Sequence, residues 1–192
     1  MLNIVIFGAP GSGKGTQSEW IIAKYGLDHI STGAVLRAAI EKGTELGKVA
    51  QGYINQGQLV PDDLIIQLIA NLLDEKAESK GVIFDGFPRT IPQAKALKEM
   101  LNERGTDISI LIDLQVDEEE LINRLLERGK ISGRSDDNLD TIKARLNVYH
   151  TQTAPLADYY LNEGKHVAIK GVGGIPVIFE RIDSAIQQII DK

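Results

Sequence analysis

The chain has 192 residues, 43% of them hydrophobic, with a formal net charge of −6 and no cysteine. That length carries one sizeable α/β domain with its own core, and the apolar content excludes a disordered chain. The acidic balance argues against a general nucleic-acid surface, and the missing cysteines exclude disulfides and thiolate metal sites and fit a reducing compartment.

The first element is an apolar run, Leu2 to Phe7, which reads as a buried parallel strand. It enters Gly8-Ala9-Pro10-Gly11-Ser12-Gly13-Lys14-Gly15-Thr16. Glycines let backbone N–H groups approach phosphate oxygens with no Cβ in the way. Lys14 can reach outer phosphates, and the helix predicted over Thr16 to Tyr25 aims its positive end at the same anion. The general phosphate-loop pattern has Ser or Thr directly after the lysine; here Gly15 intervenes and the hydroxyl follows at Thr16. The N-terminus has no basic segment ahead of its apolar run, so a signal peptide is not expected. No apolar run approaches the roughly 20 residues of a membrane span. The expected location is the cytoplasm, with no membrane and no nucleic-acid partner.

A short strand is predicted near Asp28 to Ile30. From Ser31 to Pro61 helix-like pieces are cut by Gly33, Gly43, Gly47, Gly52 and Gly57 with no clear strand, which reads as a small helical insertion. A helix follows over Leu64 to Glu78, then a strand over Val82 to Phe84 that ends in Asp85. A hydrophobic strand ending in Asp can deliver a carboxylate to a nucleotide-bound magnesium ion or its waters. Further helices are predicted over Gln93 to Arg104, Glu118 to Arg128 and Leu139 to Glu163, with strands over Ile108 to Leu114 and His166 to Ile169. Strand–helix alternation of this kind implies a mostly parallel sheet covered on both faces, with ligands at the carboxyl ends of the strands. The polar stretch Gly129 to Asn138 reads as a loop.

Four of the eight arginines lie between positions 124 and 145: Arg124, Arg128, Arg134 and Arg145. Helix C-terminal placement ahead of Gly129 accounts for Arg128 better than for Arg124. A site that gathers polyphosphate charge accounts for all four, because guanidinium groups bind phosphate in bidentate fashion. Asp136 and Asp137 either cap the helix beginning near Leu139 or partner the arginines, and both readings stand. His29, His150 and His166 are scattered with no nucleophile beside them, and are read as structural or surface residues. A hydroxyl acceptor usually needs a base, whereas a phosphate acceptor is already ionised. A phosphate loop with many arginines and no base therefore points to phosphate as acceptor.

At this point the chain resembles the adenylate kinases, within the nucleoside monophosphate kinase family. The residues that carry the resemblance run in order along nearly the whole length: Gly8 to Thr16, Ser31-Thr32-Gly33 with Leu36-Arg37, Asp85-Gly86-Phe87-Pro88-Arg89-Thr90 with Gln93, Arg124 and Arg128, Gly133 to Asp137, Arg145, and Thr153-Ala154-Pro155-Leu156. The Gly15–Thr16 order is that family's form of the loop. The resemblance implies a three-layer α/β P-loop fold with a five-stranded parallel sheet. It implies core segments 1–30, 61–128 and 139–192, a helical monophosphate-binding insertion at 31–60, and a short lid at 129–138.

It also implies roles. Gly11, Ser12, Gly13, Lys14, Gly15 and Thr16 would cradle the ATP phosphates, with Arg124, Arg128 and Gly171 on the same nucleotide. Thr32, Gly33, Arg37, Gly86, Arg89 and Gln93 would hold AMP, with Ile54 and Val60 walling its base. Lys14, Arg89, Arg124, Arg128, Arg134 and Arg145 would be catalytic, and Arg134 and Arg145 would also touch AMP. Asp85 would organise the waters of Mg²⁺; a zinc site is not expected in so short a lid. Adenine is the expected acceptor base, because a Gln amide can pair with its N1 and exocyclic amine. Relatives that phosphorylate UMP or CMP usually carry Ala in place of Thr32 and Asn in place of Thr90. The activity implied is reversible transfer from ATP to AMP giving two ADP, by a monomer. The alternatives are a pyrimidine monophosphate kinase and, from another class, a non-catalytic nucleotide-binding regulator. Ala34 stands where the family usually has Asp, which implies a reduced rate or altered magnesium dependence.

Overall fold

The computed structural model describes residues 1–76 and 78–191. Five strands form one sheet: β1 (Ile4–Phe7), β2 (Asp28–Ser31), β3 (Val82–Asp85), β4 (Ile110–Gln115) and β5 (His166–Lys170). Their spatial order is β2-β3-β1-β4-β5 and every pairing is parallel. The expected five-stranded parallel α/β fold is the one observed. β1 lies centrally, with Ile4, Val5 and Ile6 opposite Ile83, Phe84 and Asp85 on one side and Phe7 opposite Asp113 on the other.

Both sheet faces are covered, which is why the strands are continuously apolar. Side chains alternate between two cores. Val5, Phe7, Phe84 and Leu111 enter one, and Ile4, Ile6, Ile83, Ile110 and Ile112 enter the other. The helices are α1 (Lys14–Tyr25), α2 (Thr32–Glu41), α3 (Glu45–Asn55), α4 (Asp62–Asp74), α5 (Ile91–Glu103), α6 (Glu118–Ser132), α7 (Leu139–Val148), α8 (Pro155–Asn162) and α9 (Ile175–Ile190). α2 and α3 occupy the segment read as a helical insertion, and Ser31 and Thr44 cap them through their hydroxyls.

Apart from α6, described with the site, three elements differ from the sequence reading. The helix expected over 64–78 stops at Asp74, and Ala77 lies outside the described residues. The helix expected over 139–163 is interrupted. Pro155 has no N–H and its ring would strike the carbonyl four residues back. The chain therefore widens into a π-helical turn, Tyr149–Thr153, in which Ala154 N–H bonds Tyr149 O at 2.8 Å, before α8 begins. A ninth helix, α9, follows the last strand where no helix was expected. Its opening Ile175-Pro176-Val177-Ile178 is poor in helix formers. Burial of Ile178, Ile182 and Ile186 along one stripe against the sheet decides its conformation.

Candidate functional site

The carboxyl ends of the strands open into one cavity of about 790 Å³. β1 feeds the Gly8–Gly13 loop into α1. Gly13 takes a left-handed φ of 98° at the helix N-cap and offers no side-chain cap. The first N–H groups of α1 therefore stay free of a side-chain partner, and Gly13, Lys14, Gly15 and Thr16 line the cavity there. The Lys14 ammonium folds back to donate to Gly8 O at 2.8 Å and Ala9 O at 2.9 Å. Burial pushes its pKa down to about 8; Asp85 opposes that shift, and Arg89, Arg145 and Arg128 add to it.

Across the cavity stand residues from β3 and the helical insertion. Thr32 donates to Gly86 O at 2.8 Å, and Arg89 Nε donates to the same carbonyl at 2.7 Å. Arg37, Ile54, Val60 and Gln93 line this end. Burial lowers the pKa of Arg37 and of Arg89, and neighbouring guanidiniums, Arg134 on the first and Arg145 on the second, lower each further. So many cations in one hollow lack sufficient counter-charge, which is the electrostatic signature of a polyanion site.

The arginines of α6, α7 and the segment joining them line the same cavity. Arg128 forms a fork on Asp137, Nε to Oδ2 at 2.6 Å and Nη2 to Oδ1 at 2.7 Å. Arg145 Nη1 meets Asp137 Oδ1 at 2.8 Å and Asp136 Oδ2 at 2.9 Å. Of the two readings of these aspartates, pairing with the arginines is realised. The cap of α7 is Asn138, whose side chain accepts from Thr141 N–H. Arg124 donates to Glu120 at 2.7 Å and to Gly171 O at 3.3 Å.

Gly129 is not a helix terminus. α6 runs through it to Ser132, so 129–132 are helical rather than loop. A Cβ there would sit 2.8 Å from Asp137 O, so glycine is what lets the Asp137 segment lie against the helix.

Asp85 lies at the end of β3, with its Oδ2 3.9 Å from where a Cβ on Gly15 would stand. Ser31 Oγ approaches it at 3.5 Å and His29 Nε2 at 3.8 Å. Burial would raise its pKa, but His29, Lys14 and Arg89 outweigh that and hold it below the usual carboxylate range. Among the described residues no three His, Cys, Asp or Glu side chains gather into a metal cage. A lone charged carboxylate beside a phosphate loop suits Mg²⁺, which keeps several waters and takes its other ligands from substrate phosphates.

The cavity gathers Gly11 to Thr16, Thr32, Gly33, Arg37, Ile54, Val60, Asp85, Gly86, Arg89, Gln93, Arg124, Arg128, Arg134 and Arg145. Gly171 lies behind this lining, where its carbonyl receives Arg124. Ala34 is exposed in the first turn of α2 and lies outside the lining. Sequence reasoning missed two supports. His29, read as structural, stands beside Asp85. Asp62, which drew no attention, holds Gln93 at 2.7 Å. The signal for Asp62 is weak, because an Asp in a helix's first turn is expected for the dipole alone.

A family model described as adenylate kinase matches residues 6–165. The chain belongs to the adenylate kinase family. An adenylate kinase of Parabacteroides distasonis is 73% identical over 189 residues, covering 98% of this chain and 100% of that protein. One of Phocaeicola vulgatus is 65% identical over 189 residues, with the same coverage. One of Porphyromonas gingivalis (strain ATCC 33277) is 55% identical over 192 residues, covering 100% of this chain and 97% of that protein. Membership makes this chain a nucleoside monophosphate kinase, and so a phosphotransferase. Among the described residues no helix is long and apolar enough to cross a membrane.

Proposed function

We propose that this chain transfers the γ-phosphoryl group of ATP to AMP, reversibly, giving two ADP, and does so as a cytoplasmic monomer. The observation that carries this reading is one cavity lined by the Gly8–Thr16 loop, by Arg37, Arg89 and Gln93, and by Arg124, Arg128, Arg134 and Arg145. Both substrate ends are furnished by one chain. In this reading Gly11 to Thr16 and Lys14 cradle the ATP phosphates, and Arg124 with Gly171 borders the same nucleotide. Arg37 and Arg89 hold the AMP phosphate, while Thr32, Gly33, Gly86, Ile54, Val60 and Gln93 seat the rest of AMP. Arg128, Arg134 and Arg145 converge on the oxygens that gain charge as the phosphoryl group passes.

The acceptor phosphate is already an anion, so no residue removes a proton from it. Catalysis is positioning and electrostatic stabilisation by cations held before the reaction starts. Asp137 and Asp136 keep Arg128 and Arg145 in place until phosphate competes for them. Asp85 is the residue that would hold Mg²⁺, and the bound ion would supply charge neutralisation on the ATP phosphates. The segments 31–60 and 129–138 are the parts we assign to monophosphate binding and to the lid.

A coupled ADP-release assay tests the reading. ATP with AMP gives rapid ADP formation, and GMP, CMP and UMP give far slower rates. CMP or UMP outrunning AMP overturns the base assignment, and failure of AMP to stimulate ADP release leaves only a nucleotide-binding regulator. The missing carboxylate at Ala34 gives a second expectation. Ala34→Asp lowers the Mg²⁺ concentration for half-maximal rate by roughly threefold to tenfold, read from a magnesium titration at fixed ATP. An unchanged titration removes position 34 from the metal's surroundings.

A further inference from the structure

Gln93 is buried at the acceptor end of the cavity, and both ends of its amide are engaged. Oε1 accepts from the backbone N–H of Arg89 at 2.7 Å, and Nε2 donates to Asp62 Oδ1 at 2.7 Å. A backbone N–H can only donate and a carboxylate can only accept, so these partners dictate which end of the amide is oxygen. Turning the amide by half a rotation would set N–H against N–H and oxygen against carboxylate. Asp62 is itself fixed: Thr90 Oγ1 donates to its Oδ2 at 2.9 Å, while the same hydroxyl accepts from Gln93 N–H at 3.3 Å and caps α5. The starts of α4 and α5 are thereby joined in a closed ring of Asp62, Thr90 and Gln93.

An amide has two N–H donors and two oxygen lone pairs. Among the described residues Gln93 spends one of each on Asp62 and Arg89, leaving one Nε2–H and one Oε1 lone pair. Their order is set by the protein before any ligand arrives.

We propose that Asp62 is a specificity-determining positioning residue, which locks the Gln93 amide so that it offers one donor and one acceptor in fixed order to the acceptor base. That order matches a purine edge with an acceptor ring nitrogen beside an exocyclic amine. It opposes an edge with a ring N–H beside a carbonyl, as in inosine or guanosine monophosphate. The proposal rests on the reading that Gln93 faces the acceptor base. Without Asp62 the amide loses the partner that penalises rotation, and the site loses both pre-organisation and discrimination.

The experiment is steady-state kinetics of the full chain with AMP and with inosine monophosphate as acceptors. In Asp62→Ala the KM for AMP rises roughly tenfold and the AMP-over-inosine ratio of kcat/KM falls by about as much. The KM for ATP stays within about twofold, which loss of folding alone would not produce. Asp62→Asn restores the ratio, since its Oδ1 still accepts from Nε2 and its Nδ2 can face the Thr90 hydroxyl. Asp62→Ser, too short to reach Nε2, gives the same loss and serves if the alanine variant does not fold. Gln93→Leu separates the layers of the claim. If it leaves the AMP-over-inosine ratio unchanged, Gln93 does not read the base and the underlying reading falls with this one. If Gln93→Leu collapses the ratio while Asp62→Ala and Asp62→Ser preserve it, only the positioning role is overturned.

Discussion

Lys14→Met lowers kcat by about 10³-fold or more, the scale of losing a pre-organised cationic donor at a transferring phosphoryl group. Methionine keeps an unbranched side chain of similar length. The variant loses the ammonium's bonds to Gly8 O and Ala9 O, a local change in one loop, so the far-ultraviolet dichroism, which reports the helices and the sheet, stays that of the parent. The pH dependence follows from the same residue. Burial holds Lys14 near pKa 8, so it is a cation below that pH and neutral above it. On the proposed function ATP requires the cation, and bound phosphates would raise its pKa again. Affinity for ATP therefore weakens as pH rises through about 8, and binding near that pH takes up a proton. Calorimetry in buffers of different ionisation heat detects the proton, and Lys14→Met abolishes it. Parent-like turnover in Lys14→Met would falsify the mechanism.

Asp137→Ala is the largest expected loss of stability. The Asp137 side chain is fully buried and accepts three bonds, two from Arg128 and one from Arg145. Its removal leaves two guanidiniums side by side with Asp136 as the neighbouring counter-charge. Breaking a buried charge pair by removing one partner costs several kcal/mol. Arg128 is about one-third exposed, at 34%, so solvent absorbs part of that. We expect roughly 3 kcal/mol, read as a melting temperature lower by roughly 6–12 °C.

The sign with pH is definite. Burial pushes the Asp137 carboxyl up, but the Arg128 fork and the charges of Arg128, Arg145 and Arg134 hold it below its ordinary value. Its stabilisation is present above the ordinary carboxylate pKa of about 4 and disappears as pH falls through the lower folded value. The gap between parent and variant therefore closes in acid. ATP with AMP should stabilise Asp137→Ala more than the parent, since phosphate supplies the missing negative charge. Equal melting temperatures at neutral pH would show that the pair contributes nothing.

The parts legible in the sequence are those whose chemistry is local. The Gly8–Thr16 loop is a run of backbone positions beside one lysine, and the phosphate-binding role proposed for it needs no distant partner. Asp85 is legible because a strand end fixes where its side chain emerges. Asp136 and Asp137 were legible only as two options. Helix capping and arginine pairing ask for the same residue type, and only the approach of Arg128 and Arg145 separates them. Gly129 misled for a related reason. Glycine after a basic helical segment usually marks a terminus, yet here it admits the Asp137 backbone against a helix that continues.

Asp62 and His29 show where sequence reasoning stops. Asp62 lies 31 residues before Gln93 and belongs to a different helix. Nothing in its own neighbourhood distinguishes a dipole-compensating carboxylate from one that orients another side chain. The sequence by itself determined the parallel α/β class and the family, and it singled out the Gly8–Thr16 loop and the set of cations, because those follow from periodicity and from short motifs. Tertiary structure alone decided where α6 ends, why α7 and α8 are separate, which carboxylate holds which arginine, and which way round the Gln93 amide stands. Those outcomes depend on groups distant in the chain meeting within hydrogen-bond reach, and hydrogen bonds and ion pairs act only at that range.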